Sequence, residues 1–157
     1  LRKMRDQGHA NLFVSEVAAE VAFVMLNHTQ PPFDDIRVRR ALVMAIDRDK
    51  SNRTDNDGLG TIATGPFAPG TMGYLEDSGY PEFDVDEAKR LVAEYEAEGT
   101  EAQLTLSIAN DPTIQTQAEA PQQRLKTVGM EVDIEVQDQA SLIHLSLIHI
   151  SEPTRPY

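Results

Sequence analysis

Cysteine and tryptophan are both absent from the 157 residues, and basic side chains are scarce. Without cysteine, the chain has neither disulfide bonds nor thiolate chemistry. Lysine and arginine together number 14 against 26 acidic residues, which gives a formal net charge of −12. A negative charge of this size repels phosphate backbones, so we expect no nucleic-acid partner.

Long apolar runs are also missing. The run Val21–Leu26 is six residues long, whereas a membrane-spanning helix needs about 20 apolar residues. The basic side chains of Arg2, Lys3 and Arg5 lead into no apolar stretch of the kind that a signal peptide contains. We therefore expect no transmembrane segment and no signal peptide within these residues.

The sequence contains no recognisable metal, cofactor or catalytic motif. Its histidines, at positions 9, 28, 144 and 149, lack the spacing of metal ligands. The acidic stretch 55–58 resembles a calcium loop, but Arg53 and Thr64 stand where its first and last ligands belong. Asp34 and Asp35 are adjacent, and capping of a helix explains both. We predict no metal, no cofactor and no catalytic residue.

Local patterns predict an α/β structure. Val21–Leu26 is apolar on both faces, as a buried strand is, and the prolines at 31 and 32 end it. Asp34 and Asp35 then precede a helix, since carboxylates are favoured at its positive end. Apolar residues at helical spacing predict the buried stripe of this helix: Val38, Ala41, Leu42 and Ala45.

The second half of the chain predicts a strand–helix–strand unit. Residues 49–79 are rich in turn-forming residues and are predicted to be irregular. A helix is predicted over 84–99, with Asp84 and Glu87 in a capping pattern and Gly99 as its stop. Alternating strands around 104–108 and 130–136 flank a helix over about 112–128, which gives a right-handed βαβ unit. A break is predicted just before Pro121, because an interior proline disrupts a helix.

The stretch V-A-F-V-M-L-N-H-T-Q-P-P-F-D-D-I-R-V-R-R-A-L-V-M-A-I-D, over 21–47, resembles a signature region of extracytoplasmic solute-binding protein family 5. Members of that family serve peptide, oligopeptide and nickel ABC importers. The positions that fit the pattern are Asn27, Pro32, Phe33, Asp35, Arg37, Val38, Arg39, Ala41, Leu42, Ala45, Ile46 and Asp47. The segment around 64–74, T-G-P-F-A-P-G-T-M-G-Y, is similar to the family's segment after this helix.

The resemblance implies a piece of a two-lobed, type II periplasmic-binding-protein-like fold. Its divisions would be a remnant of the first lobe over 1–20, an interlobe hinge strand over 21–28 and part of the second lobe over 29–140. Length alone predicts a single domain, whereas the resemblance implies an internal part of a protein several hundred residues long.

The resemblance also implies a function for the longer protein. That protein would capture a peptide or similar small solute outside the membrane and deliver it to ABC permease subunits. It would be a periplasmic or extracytoplasmic monomer, held at the membrane only by the permease or by an N-terminal anchor such as that of a lipoprotein. Two alternatives stay open: a sensor or chemoreceptor domain of the same fold, and an α/β enzyme.

The hinge strand supplies the candidate ligand-binding residues. Alternation along a strand puts Phe23 and Met25 on one face, and their large, adaptable side chains suit a permissive peptide pocket. Packing of the hinge explains the same two residues equally well. Asn27 is the third candidate, with hydrogen bonding to the Pro-Pro turn as its alternative role.

The end of the chain differs in character from the rest. The motif S-L-I-H occurs twice over 141–149, and residues 145–155 resemble an in-frame translation of a transposon adaptor used to prepare DNA libraries. This resemblance implies a metagenomic read in which residues 141–157 form a non-native tail. A genuine short amphipathic tail is the alternative.

Overall fold

The structure is a computed structural model that describes residues 2–9, 11, 21 and 23–150. The chain divides into two compact units, Leu1–Phe23 with Ala63–Tyr80, and Val24–Ile62 with Pro81–Tyr157. Among the described helices, none combines the length and the apolar character needed to cross a bilayer.

The first unit contains a short helix and an irregular segment. Helix α1 spans Arg2–Asp6, and residues 12–20 lie outside the described residues. In the segment Ala63–Tyr80, the Thr71 amide donates to the carbonyl oxygen of Ala68 at 3.1 Å. The ring of Phe67 lies against Gly73, whose φ of 92° is a conformation that glycine adopts without strain. Residues 63–80 are therefore irregular, as predicted.

The second unit begins with two capped helices. Helix α2 spans Ile36–Met44 and is capped by Asp35, while α3 spans Arg48–Asp55 and is capped by Asp47. The predicted stripe of α2 is confirmed: Val38, Ala41 and Ala45 are buried and Leu42 packs against the same core. The prediction of an irregular chain from residue 49 was wrong over α3. This helix is entirely polar, so apolar periodicity gives no sign of it.

Helix α4, Val85–Glu96, agrees closely with its sequence pattern. The Asp84 carboxylate accepts from the Glu87 amide at 2.9 Å, which confirms the predicted cap. The reciprocal half of a capping box does not form, because the Glu87 carboxylate pairs with Arg90 and the Asp84 amide donates to the Met44 carbonyl. The predicted apolar residues of α4 are all buried: Ala88, Leu91, Val92 and Tyr95.

A parallel pair of strands completes the second unit. Strand β1 spans Gln103–Ala109, helix α5 spans Pro112–Lys126 and strand β2 spans Glu131–Gln137. The strands pair in parallel, with Gln103 opposite Glu131, so the predicted strand–helix–strand order is confirmed. Helix α6, Gln139–Ile150, comes after β2. Alternation along the strands leaves one face polar and turns Leu104 and Val132 toward the core.

The predicted break before Pro121 was wrong, because α5 continues through this residue. A proline removes one amide donor, and the packing of the helix on both sides compensates for that loss. Ala118 and Leu125 are buried on either side of Pro121. Immediately after it, the Gln122 side-chain amide donates to the carbonyl oxygen of Val132 at 2.7 Å and fixes the helix to β2.

The core of the second unit lies between α2, α4, α5 and the strands. Helix α2 packs on α4, and α5 packs on both strands. Met130, Val38 and Val92 are the largest side chains that lose essentially all contact with solvent. Gly129, with a φ of 95°, allows the chain to turn from α5 into β2 beside Val92. A core of this kind holds the start of α2 and the end of α4 in fixed positions.

Candidate functional site

The segment predicted to be a hinge strand contains no regular secondary structure at Val21 and Phe23–Leu26. The strand prediction was therefore wrong for this chain. A strand needs a neighbour for its backbone groups, and the strands formed by the described residues, β1 and β2, pair with each other. Alternation along a strand consequently does not define the faces of this segment, and the role of residues 21–28 as an interlobe hinge stays a prediction.

The three predicted ligand-binding residues have different surroundings. Phe23 and Met25 are exposed, with 76% and 45% of their surface accessible. Asn27 is half-buried, and its Oδ1 accepts from the amide and the hydroxyl of Thr29 at 3.1 and 2.7 Å. The alternative role predicted for Asn27, bonding to the backbone of the turn, is confirmed. A role of the three residues in ligand binding stays a prediction.

Hydrogen bonds fix the turn after Asn27. The Asp34 amide donates to the carbonyl oxygen of Gln30 at 3.0 Å. The guanidinium of Arg39 reaches back from α2 and donates to the carbonyl oxygens of Phe33 and Asp34 at 2.6 and 3.1 Å. Arg39 thus binds backbone oxygens, and it joins the turn to α2.

Arg37 lies at the centre of an ionic cluster that joins α2 to the end of α4. Its Nε lies 3.1 Å from both oxygens of Asp35, and its second terminal nitrogen lies 2.6 Å from Oδ2. Its other terminal nitrogen donates to Oε1 of Glu98 at 2.7 Å. The guanidinium carbon also lies 5.9 Å from the centre of the Tyr95 ring.

The hydrogen bonds of the ionic cluster shift the pKa values of the residues that form it. Hydrogen bonds from the Arg37 side chain lower the pKa of Asp35 and of Glu98 below their ordinary values. The same bonds raise the pKa of Arg37, and the bond to Asp35 contributes most to this rise. Burial raises the pKa of the Tyr95 hydroxyl. Asp35 and Glu98 are therefore held as carboxylates, which suits ionic pairing and makes them poor proton donors.

Each of the two units has a concave surface among its described residues. The first, of about 110 Å³, is mainly apolar and is lined in part by Phe67, Leu75 and Ser78. The second, of about 270 Å³, is open and polar and lies beside the ionic cluster. The residues that line it are Pro31, Asp34, Asp35, Tyr95, Glu98 and Thr100. Sequence reasoning missed Tyr95 and Glu98, because no local spacing connects α4 with residues some 60 positions earlier.

These features define an α/β chain built on a parallel βαβ unit with a helical pair beside it. The family model described as "Bacterial extracellular solute-binding proteins, family 5 Middle" matches residues 2–148. The chain belongs to the family 5 solute-binding proteins, which confirms the predicted family and fold class.

Individual relatives agree with this membership. The chain is 38% identical over 86 residues to "Probable di/tripeptide-binding protein 5" of Pseudomonas aeruginosa, covering 54% of this chain and 16% of the relative. It is 33% identical over 95 residues to "Heme-binding protein A" of Haemophilus influenzae, covering 60% and 17%.

A solved structure gives the same result for the fold. The dipeptide-binding protein of Pseudoalteromonas sp. SM9913, solved in complex with Met-Leu, has a TM-score of 0.64 and 30% identity to this chain. The match covers 78% of this chain and 25% of that protein. The chain thus spans a quarter or less of the length of these three relatives.

Proposed function

We propose that these residues are part of a longer protein that serves as the substrate-binding component of an ABC importer. The observation that carries the proposal is the family match over residues 2–148. A di/tripeptide-binding relative and a structure with bound Met-Leu support a peptide as the ligand. The heme-binding relative keeps the ligand class open to other small solutes.

The proposed protein binds and releases its ligand without chemical change. The family match supports this part of the proposal, because the matching family is one of solute-binding proteins. It acts as a monomer in the periplasm or another extracytoplasmic space. Its partners are the ligand and the ABC permease subunits, and it reaches the membrane through the permease or through an N-terminal lipoprotein anchor.

We propose that Phe23, Met25 and Asn27 contribute to the ligand-binding surface. The exposure of Phe23 and Met25 supports this role, because apolar side chains that are accessible in this chain are available for a ligand. The bonds of Asn27 to Thr29 support a positioning role for its side chain, which fixes the first residues of the turn. The segment 21–28 then serves as the hinge between two lobes that close on the ligand.

Calorimetry on the full-length protein tests the proposal with Met-Leu and heme as separate ligands. We expect Met-Leu to bind, and Phe23→Ala and Met25→Ala each to weaken binding by about fivefold or more, the loss typical of a contact residue. Val24→Ala is the matched control, since it shortens the exposed side chain between them. Failure of Met-Leu to bind would overturn the peptide assignment, and hydrolysis of Met-Leu would overturn the binding-only role.

A further inference from the structure

The loop that follows α3 is closed by the side chain of Asn52. Its Nδ2 donates to the carbonyl oxygen of Gly60 at 2.7 Å, and its Oδ1 accepts from the Gly60 amide at 3.0 Å. A Cβ at position 60 would lie 2.8 Å from this Oδ1, so a larger residue there would displace the Asn52 side chain. We call these two hydrogen bonds the Asn52–Gly60 clasp. Both residues belong to the second unit, so the clasp is complete within that unit.

The loop closed by the clasp contains an Asp-Gly dipeptide, Asp57-Gly58, which occurs nowhere else in the 157 residues. Asp57 has a φ of 54° and Gly58 a φ of 69°, so both residues lie in the left-handed region. The Gly58 amide donates to the main-chain carbonyl oxygen of Asn52 at 2.8 Å. The backbone nitrogen of Gly58 is therefore held by the same residue that forms the clasp.

An aspartyl side chain reacts with its own backbone most readily when glycine follows it, because glycine has no side chain to hinder ring closure. The amide nitrogen of Gly58 attacks Cγ of Asp57, a C–N bond forms, and the amide hydrogen leaves with the carboxyl hydroxyl as water. Water then opens the resulting succinimide. Cleavage of the new C–N bond restores aspartate, whereas cleavage of the original peptide bond leaves isoaspartate, in which the main chain continues through Cγ.

We propose that Asp57 is a site of isoaspartate formation and that the Asn52–Gly60 clasp controls the rate of this modification. Ring closure requires the Gly58 amide to leave the Asn52 carbonyl and to turn toward Cγ of Asp57. The loop must open for this rearrangement, and the two bonds of the clasp oppose its opening. Isoaspartate also adds a methylene group to the backbone inside the closed loop, so the clasp resists the product as well. The proposal concerns the second unit alone and does not rest on the transport function.

Incubation of the 157-residue chain in heavy-oxygen water at mildly acidic pH, followed by proteolysis and mass spectrometry, tests this proposal. Each ring that water opens acquires heavy oxygen, and chromatography separates the isoaspartyl peptide from its aspartyl isomer. We expect Asn52→Ala to form isoaspartate at Asp57 about fivefold or more faster than the parent chain, because it removes both bonds of the clasp. Lys50→Ala is the matched control, since Lys50 is an exposed residue of the same helix outside the clasp, and it should react like the parent chain.

A synthetic peptide of residues 53–61 gives the rate without the clasp and does not depend on how a variant folds. It should form isoaspartate at Asp57 about tenfold or more faster than the parent chain, because no folded loop holds the Gly58 amide. A peptide that reacts no faster than the parent chain overturns the proposal. So does an Asn52→Ala variant that reacts at the rate of the parent chain while far-UV circular dichroism shows a native fold.

Discussion

Asp35 both caps α2 and binds Arg37, and these two contributions are separable by substitution. The Asp35 Oδ1 accepts from the Arg37 amide at 2.7 Å, and its carboxylate pairs with the Arg37 guanidinium at 2.6 Å. Replacing an acidic cap by alanine costs about 0.5–2 kcal/mol, whereas asparagine caps as well as aspartate does. The ion pair is partly solvated and adds a smaller contribution that weakens with salt.

We therefore expect Asp35→Ala to lower the free energy of unfolding by about 1–2 kcal/mol, because it removes the cap and the ion pair together. Asp35→Asn keeps the cap acceptor and should lose less than about 0.5 kcal/mol. Urea unfolding followed by far-UV circular dichroism measures both variants. Salt should reduce the loss in Asp35→Asn and leave most of the loss in Asp35→Ala.

Asp84→Ala is the matched control, since Asp84 caps α4 through the Glu87 amide at 2.9 Å and has no arginine partner among its described hydrogen bonds. It should lose about 1 kcal/mol, and this loss should depend on salt less than the loss in Asp35→Asn does. Equal losses in Asp35→Ala and Asp35→Asn would refute the reasoning, because the cap would then contribute nothing. A loss in Asp35→Ala that disappears in high salt would refute it equally, since the ion pair alone would account for the effect.

The core, the titrating carboxylates, the tail and the length of the chain each give a further prediction. Met130→Ala should lower the free energy of unfolding by about 2–5 kcal/mol in urea titrations because Met130 is fully buried, while Met72→Ala at the surface should change it by less than about 0.5 kcal/mol. Acid should destabilise the chain below about pH 3.8, because hydrogen bonds lower the folded pKa of Asp35 and Asp111 below this ordinary value. The stability that these two carboxylates contribute is complete above pH 3.8 and is lost as the pH falls through their folded pKa. The stability of Asp111→Asn, measured over the same pH series, should depend less on pH. Deleting residues 145–157 should leave the thermal midpoint unchanged, and a clear fall in that midpoint would contradict the adaptor interpretation. The 157-residue chain alone should bind Met-Leu no tighter than millimolar in calorimetry, since it spans a quarter of the length of the relative that binds this dipeptide; micromolar affinity would contradict the need for a second lobe.

Local sequence was sufficient where a helix buries a stripe of its own residues. Helices α2 and α4 are indicated by an acidic cap and by apolar side chains three and four positions apart. Helix α3 carries the same kind of cap, at Asp47, but buries little, so its cap was the only available signal. Capping residues therefore locate helices that apolar periodicity misses.

Long-range contacts account for what the sequence could not predict. The bond from Arg37 to Glu98 spans 61 positions, and nothing in either local segment indicates it. Helix α5 continues through Pro121, and Gln122 beside it contacts β2, which is also a non-local contact. The strand predicted over Val21–Leu26 has the right composition, yet strand formation depends on a neighbour that composition does not reveal.

The hydrogen bonds of Arg39 join the turn after Asn27 to helix α2. From Asn27 onward, side-chain and backbone hydrogen bonds continue through the turn into α2. Phe23–Leu26, immediately upstream, have no such restraint within the described residues. Asn27 thus belongs with α2, whereas the backbone torsions of Phe23–Leu26 are held by no hydrogen bond among the described residues. A proline at one of these four positions would therefore restrict the backbone without removing a described hydrogen bond.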